Sequence, residues 1–311
     1  MSNTLILSPE VTAALAFIQS IEVPVAENAV HMGREFYERF IPMAGEPEEV
    51  NFIQTHTIHS PQADIALRIY RPSAQPSLPI VLYMHGGWFN AGSLDTHDRP
   101  LRAVANLSGA VVISIDYRLA PEHPFPAGLH DCCYVLQWVM DNAALLDVDI
   151  NRIALAGDSA GGALAATVTL RAVKALHLSL ACQVLIYPVT DASLSSSSWQ
   201  TFADGPNLTL AGAKDAWNMY IPDPNARRHP DASPLYADDL TGLPPTLIIT
   251  AEYDPLRDEA IHYAEKLQAA GTDVQLSAYA GMIHGFFQMG GIISDGRHAI
   301  QAVAAFLKAH F

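Results

Sequence analysis

Ser159 lies at the centre of the pentapeptide Gly-Asp-Ser-Ala-Gly, which occupies residues 157–161. A serine hydroxyl becomes an effective nucleophile only when an imidazole takes its proton and a carboxylate orients that imidazole. The pattern Gly-x-Ser-x-Gly between an apolar strand and a helix is typical of a nucleophile elbow, a strained turn that lifts the serine above the edge of a sheet. Alone, the pentapeptide also fits an ordinary glycine-rich turn before a helix, so the surrounding residues have to decide.

Two later segments supply a carboxylate and an imidazole in the chain order serine, acid, histidine, the order found in nucleophile-elbow enzymes. Asp254 comes shortly after an apolar run that ends at Thr250, and acids just beyond the carboxyl end of a parallel strand point into the ligand-binding crevice. Glu252 is a weaker candidate for the same role. His284 lies in a glycine-containing loop after the last predicted strand, so its imidazole can swing inward. The remaining acids and histidines here fit helix ends or helix surfaces: Asp258, Glu259, His262 and His298.

A third motif offers hydrogen-bond donors for the oxyanion of a tetrahedral intermediate. His85 follows an apolar run that begins at Ile80, and Gly86, Gly87 and Trp88 come directly after it. The N–H groups of these three residues, together with that of Ala160, are the predicted oxyanion-hole donors, and His85 supports the motif. A His-Gly-Gly sequence is also an ordinary turn. Two glycine motifs at strand ends, beside an acid and a histidine in the right order, favour the catalytic interpretation.

The elements that position these residues are apolar strands alternating with helical stretches. This alternation starts at Pro79 and predicts a mostly parallel sheet covered by helices on both faces. An earlier pair of alternating segments, 52–58 and 65–70, predicts two antiparallel strands at one edge, which makes eight strands in all. The predicted parallel strands are 80–84, 111–115, 153–156, 184–186, 247–250 and 274–278.

Two regions do not follow this alternation of strands and helices. Residues 1–45 carry helical spacing without strand signals and predict N-terminal cap helices. Residues 191–236 are rich in Ser, Asp, Asn and Pro, with a single helical piece predicted near 212–220. An insertion of this length between two strands is more often a lid than a simple connecting loop. We therefore predict a catalytic domain at 46–311 that carries a cap insertion at about 191–236.

Composition excludes several function classes. The formal net charge of −15, without any basic cluster, argues against a nucleic-acid partner. The chain begins with no signal-peptide pattern and has no run of about 18 apolar residues, so we expect no membrane partner and a cytoplasmic location. The three cysteines, Cys132, Cys133 and Cys182, are too few and too clustered for a disulfide framework and are predicted to be buried thiols.

The chain resembles the bacterial hormone-sensitive-lipase-like carboxylesterases of the Gly-Asp-Ser-Ala-Gly type. The resemblance runs from about residue 45 to the end. It implies an α/β-hydrolase fold with a helical cap, hydrolysis of small carboxylic esters with short or medium acyl chains, and no metal or organic cofactor. It also allows a homodimer. The motifs that carry it lie at residues 85–87, 95–98, 116–127, 157–162, 254–259 and 284–286.

The resemblance assigns roles residue by residue. Ser159 matches the nucleophile of the family, His284 its general base and Asp254 the acid that orients the histidine. The family usually has a third glycine after His-Gly-Gly, and this chain has Trp88 there. An indole that points into the cleft would favour small acyl groups, whereas an indole packed under the cap would not. Asp158 belongs to a common variant of the family and is given no catalytic role.

Two other functions stay open beside ester hydrolysis. An amidase or formamidase would use the same machinery, because a protonated amine can also leave the tetrahedral intermediate. A non-catalytic small-molecule receptor would keep the pocket and lose part of the Ser-His-Asp set. The presence of all three residues argues against the receptor.

Overall fold

A central sheet of eight strands forms the frame of the computed structural model, which describes residues 5–311. The strand order is β1-β2-β4-β3-β5-β6-β7-β8. The first pair is antiparallel and lies at one edge, β2 also pairs antiparallel with β4, and the pairs from β4 to β8 are parallel. The predicted fold class is confirmed. The strands are β1 (Phe52–His59), β2 (Asp64–Arg71), β3 (Leu78–Met84), β4 (Val111–Asp116), β5 (Val148–Asp158), β6 (Cys182–Ile186), β7 (Thr246–Tyr253) and β8 (Val274–Ile283).

Helices cover both faces of this sheet. Alternate residues of a strand point to opposite faces, so β3 places Ile80 and Leu82 in one core and Val81 and Tyr83 in the other. The first core includes residues of α4, α6 and α9, and the second includes residues of α3 and α10. The α-helices within the described residues are α1 (Pro9–Ser20), α2 (Ala29–Glu38), α3 (Asp98–Ser108), α4 (Ala127–Asp141), α5 (Ala143–Leu146), α6 (Ala160–Lys174), α7 (Ser197–Thr201), α8 (Leu210–Tyr220), α9 (Arg257–Ala269) and α10 (Ser294–His310).

The N-terminal helices differ in how they are packed. In α1, Val11 and Ala14 are fully buried in the second core. In α2, by contrast, no residue is buried, although the helix starts with a good cap because the side chain of Asn28 accepts from the N–H groups of Val30 and His31. Helix α2 therefore covers the body of the protein without becoming part of either core.

The insertion between β6 and β7 contains two α-helices, so the prediction of a single helical piece there was wrong. The missed helix, α7, begins in a serine-rich stretch with no helical pattern of its own. It is held by tertiary contacts instead: Ser198 N–H donates to Asp258 Oδ2 (2.8 Å), and Ser198 Oγ donates to the carbonyl of Pro255 (2.6 Å). Contacts with residues distant in the chain override weak local propensity here.

The structure also describes the three cysteines and the apolar character of the helices. All three cysteines are free, with Cys132 and Cys182 buried and Cys133 partly buried. Among residues 5–311, none of the helices has the length and apolar character that crossing a bilayer requires.

Candidate active site

Ser159 sits in a sharp turn where β5 ends and α6 begins. Its φ of +54° is in the left-handed region, which is strained for a residue with a side chain. The flanking glycines are required by close packing. A Cβ atom on Gly161 would lie 2.0 Å from the carbonyl oxygen of Met84, and one on Gly157 would lie 2.3 Å from the carbonyl oxygen of Gly161. The turn has the backbone geometry expected of a nucleophile elbow.

Ser159, His284 and Asp254 form a continuous hydrogen-bonded chain. His284 Nε2 lies 3.0 Å from Ser159 Oγ, and His284 Nδ1 lies 2.7 Å from Asp254 Oδ2. Because the carboxylate can only accept, Nδ1 carries a proton and Nε2 is free to receive the serine proton. Asp254 follows β7 and is fully buried, and its Oδ1 accepts from the N–H of Leu256 (2.9 Å). The arrangement can move a proton from Ser159 to His284.

The loop that carries His284 is fixed from two sides. Asn207, in the insertion, donates from Nδ2 to the carbonyl oxygen of His284 (2.9 Å). The ring of Tyr187 packs against the imidazole with a centroid separation of 4.6 Å. These contacts hold the imidazole between its two partners.

The other acids and histidines considered from the sequence lie elsewhere. Glu252 is exposed, and its Oε2 accepts from the N–H of Gly281 (2.6 Å). His262 is part of α9, and His298 pairs with Asp295 on the exposed side of α10. Within the described residues, no three His, Cys, Asp or Glu side chains are grouped as metal ligands would be.

Glu259 is buried, and it forms no ion pair within the part of the chain that the structure describes. It accepts from the N–H of Thr190 (2.8 Å) and from Trp199 Nε1 (2.8 Å), and so it joins α9 to the insertion. Burial raises the pKa of Glu259 to about 8, although these hydrogen bonds act in the opposite direction. Its contacts are structural and do not reach Ser159.

The loop after β3, residues 86–91, is called the Gly-Gly loop below. The N–H of Gly86 donates to Asp158 Oδ1 (2.9 Å), so the prediction that Gly86 contributes to an oxyanion hole is corrected. The N–H groups of Gly87, Trp88 and Ala160 have no acceptor within residues 5–311. His85 supports the loop, because its Nδ1–H donates to the carbonyl oxygen of Gly86 (2.8 Å).

The Gly-Gly loop contains three consecutive residues with positive φ: +125° at Gly87, +54° at Trp88 and +60° at Phe89. The position of Trp88 therefore requires the conformation that glycine adopts without strain, which explains why a third glycine is common there. The Trp88 side chain borders the cavity and also packs near Trp199, with a centroid separation of 6.4 Å. The indole thus borders the cleft and also packs against the insertion, so each of the two positions considered for it is partly occupied. Phe89 stacks on Tyr220 at 3.8 Å.

Asp158 forms a buried cluster that the sequence analysis did not predict. Its Oδ1 accepts from Tyr83 O–H (2.9 Å) and lies 3.0 Å from His97 Nε2. Burial would raise the pKa of Asp158, but attraction by His97 and the hydrogen bonds from His97, Tyr83 and Gly86 hold it below its usual value. Burial, with His97 adding to it, lowers the pKa of His85 to about 4. In the sequence, the indication of this cluster was His97, which lies in the motif at residues 95–98 and was given no role.

A cavity of about 730 Å³ opens above Ser159. Its walls come from α2, the Gly-Gly loop, α8 of the insertion and the His284 loop, and most of its surface is apolar. The residues that give it this character include Phe36, Tyr37, Phe40, Trp88, Met219 and Met289. The site is a concave, mostly apolar pocket with the serine in its lining, as small-molecule sites generally are.

The sheet topology and the Ser159–His284–Asp254 chain define an α/β hydrolase, and residues 81–288 match the family model described as alpha/beta hydrolase fold. The chain belongs to this family and is a carboxylic ester hydrolase, so the resemblance to hormone-sensitive-lipase-like carboxylesterases is confirmed.

Three relatives support this assignment. The chain is 44% identical to Carboxylesterase NlhH of Mycobacterium tuberculosis over 251 residues, which cover 79% of this chain and 78% of the relative. It is 33% identical to Ethyl acetate hydrolase of Pseudomonas putida over 315 residues, which cover 98% and 99% of the two chains. The solved structure of the Pyrobaculum calidifontis esterase matches with a TM-score of 0.90 and 41% identity, covering 98% of this chain and 99% of that one.

Proposed function

We propose that the protein hydrolyses carboxylic esters with short or medium acyl chains through an acyl-enzyme on Ser159. The observation that carries this proposal is the hydrogen-bonded chain from Ser159 Oγ through His284 to Asp254, with contacts of 3.0 and 2.7 Å. A serine beside a correctly oriented imidazole is the arrangement that acyl transfer requires. The roles of nucleophile, general base and orienting acid fall to Ser159, His284 and Asp254 in that order.

The first half of the reaction forms the acyl-enzyme. His284 takes the proton of Ser159 as Oγ attacks the ester carbonyl carbon, and negative charge develops on the carbonyl oxygen. The N–H groups of Gly87, Trp88 and Ala160, which have no acceptor within residues 5–311, are the donors for that oxygen, and each is worth about 3 kcal/mol. The tetrahedral intermediate collapses as His284 gives its proton to the leaving alcohol. Water then attacks the acyl-enzyme by the same steps, and the carboxylic acid leaves.

The acyl-chain preference follows from the position of Trp88. Trp88 belongs to the Gly-Gly loop, which carries two of the three donors, and its indole borders the cavity. A bulky wall at this place limits the room for the acyl group, which favours acetyl and butyryl esters. The relative named Ethyl acetate hydrolase, which is similar over 98% of this chain, supports the same preference.

Two segments are proposed to act together as the cap: residues 1–45 and the insertion at about 191–236. The support is that α2 from the first segment and α8 from the second both line the cavity. Loops and added elements over a rigid sheet usually set the substrate range, while the sheet carries the reacting groups.

The experiment is the initial rate of hydrolysis of p-nitrophenyl esters from acetyl to dodecanoyl by the wild type and by Ser159→Ala. We expect rates that peak at the short chains and fall to a trace in the variant. Ser195→Ala, a change at an exposed serine of the insertion, is the matched control and should keep the wild-type rates. Full activity of Ser159→Ala would refute the assignment. A wild type inactive on every ester would exclude ester hydrolysis, and amides would then be the next substrates to measure.

A further inference from the structure

Helix α2 is linked to both ends of the Gly-Gly loop by two residues on one side of the helix, directly at one end and through other side chains at the other. Arg34 and Tyr37 are three positions apart, a spacing that places two side chains next to each other on a helix surface. Arg34 contacts the end of the loop at Asn90, and Tyr37 is connected to its beginning at Gly86.

The guanidinium of Arg34 donates hydrogen bonds to three residues. Nε donates to the carbonyl oxygen of Asn90 (2.8 Å), Nη2 donates to that of Ala120 (3.0 Å), and Nη1 and Nη2 both donate to Glu122. Ala120 is itself bound to the loop, because its N–H donates to the carbonyl oxygen of Phe89 (2.9 Å). The planar guanidinium with fixed donor directions therefore holds the end of the loop and the segment that supports it.

Tyr37 reaches the beginning of the loop through a chain of polar side chains. Its hydroxyl lies 2.8 Å from the side-chain amide of Gln288, and the other end of that amide contacts His97 Nε2. His97 Nε2 lies 3.0 Å from Asp158 Oδ1, the atom that accepts from the N–H of Gly86. Four side chains thus connect α2 to the first residue of the loop.

The backbone conformation of the Gly-Gly loop depends on contacts that hold it in place. Trp88 and Phe89 both adopt positive φ, and a residue with a side chain keeps that conformation only where its surroundings enforce it. The same loop bears the N–H groups of Gly87 and Trp88, two of the proposed oxyanion-hole donors. A small rotation there would turn those groups away from the position of the oxyanion and weaken transition-state binding.

We propose that Arg34 and Tyr37 are positioning residues that make helix α2 part of the oxyanion-hole geometry as well as a wall of the cavity. This inference deepens the proposed function and rests on it. It implies that a change in α2 alters the chemical step itself, and not only which substrates enter.

The first test compares Tyr37→Phe and Arg34→Gln with matched controls. Tyr134→Phe removes a tyrosine hydroxyl that donates to the carbonyl oxygen of His59, away from the site. Arg39→Gln removes an arginine at the end of α2 that donates to the carbonyl oxygen of Glu22. With p-nitrophenyl acetate we expect kcat to fall about threefold in Tyr37→Phe and about tenfold in Arg34→Gln. The KM of Tyr37→Phe should stay within about twofold, and both controls should match the wild type.

The second test does not depend on turnover. Hydrogen exchange of the segment 85–92, followed by mass spectrometry, should be about three- to tenfold faster in Tyr37→Phe and Arg34→Gln, and unchanged in the controls. In Gln288→Ala the segment should also exchange faster, and adding Tyr37→Phe should have no further effect, because the two changes break the same chain.

Several results would overturn the inference. Unchanged exchange of segment 85–92 in both α2 variants would do so, as would a loss in Tyr37→Phe that appears only in KM. Equal effects in the control variants would show that the changes are not specific to Arg34 and Tyr37. If the wild type hydrolyses no ester, the proposed function fails, and the exchange measurement alone decides the positioning role.

Discussion

Asp158 Oδ1 and the N–H of Gly86 are joined by a hydrogen bond of 2.9 Å across 72 residues of sequence. The residue next to the nucleophile thereby holds the start of the loop that faces the nucleophile. His97 and Tyr83 contact the same oxygen, so one buried carboxylate fixes the ends of two strands relative to each other. This contact therefore ties the loop with the N–H groups of Gly87 and Trp88 to the residue beside Ser159.

Replacing Asp158 with asparagine removes the charge that this cluster is built around. We expect kcat for acetyl esters to fall about ten- to hundredfold with little change in KM, because the loop donors lose their alignment. The melting temperature should also fall, since His97 loses a buried partner. Asp64→Asn, the same change at the exposed His59–Asp64 pair, is the control and should alter neither quantity. An unchanged kcat in folded Asp158→Asn would contradict this role.

Asp254→Asn tests which acid orients His284. An amide at this position can donate to the imidazole and so favours the wrong tautomer, and we expect kcat to fall by about 10⁴. Glu252→Gln should stay close to the wild type, because Glu252 is exposed and bonded to the backbone of Gly281. Steady-state kinetics of the two variants gives the comparison. The reverse pattern would assign the role to Glu252.

Trp88→Ala tests whether the indole limits the acyl chain. Removing the side chain enlarges the cavity beside Gly87, so the ratio of octanoyl to acetyl ester hydrolysis, measured as kcat/KM, should rise about tenfold. The packing near Trp199 is lost at the same time, which lowers the melting temperature. A lower melting temperature with an unchanged ratio would mean that the indole serves packing alone.

Glu259 should make the stability of the protein dependent on pH. Its pKa is about 8 in the folded protein, against a usual value of 4.5, so unfolding releases a proton between these two pH values. The free energy of unfolding should therefore fall as pH rises from about 5 to 8 and change little above that, by an amount on the order of a few kcal/mol. Glu259→Gln lacks this titratable carboxyl, so its free energy of unfolding should not show this fall. Urea unfolding of both proteins at several pH values checks this, and parallel curves would contradict it.

The sequence predicted the strands and the Ser159, Asp254 and His284 positions because their signals are local. Buried parallel strands are continuous apolar runs, and each reacting residue lies in a short motif at a strand end. The orientation of Gly86, the Asp158 cluster and helix α7 were missed because they depend on contacts between distant segments. Gly86 depends on a residue 72 positions away, and Ser198 in α7 on one 60 positions away. No periodicity or motif spacing carries that information.

The left-handed conformation of Trp88 has a consequence for protein engineering. Tryptophan already bears the backbone strain of this conformation, so exchanging it for another residue that is neither β-branched nor proline adds little conformational cost. A library of the unbranched side chains at position 88 would therefore vary the size of the cavity wall with little change in backbone strain. Substrate range can thus be scanned at this lining position through a single codon.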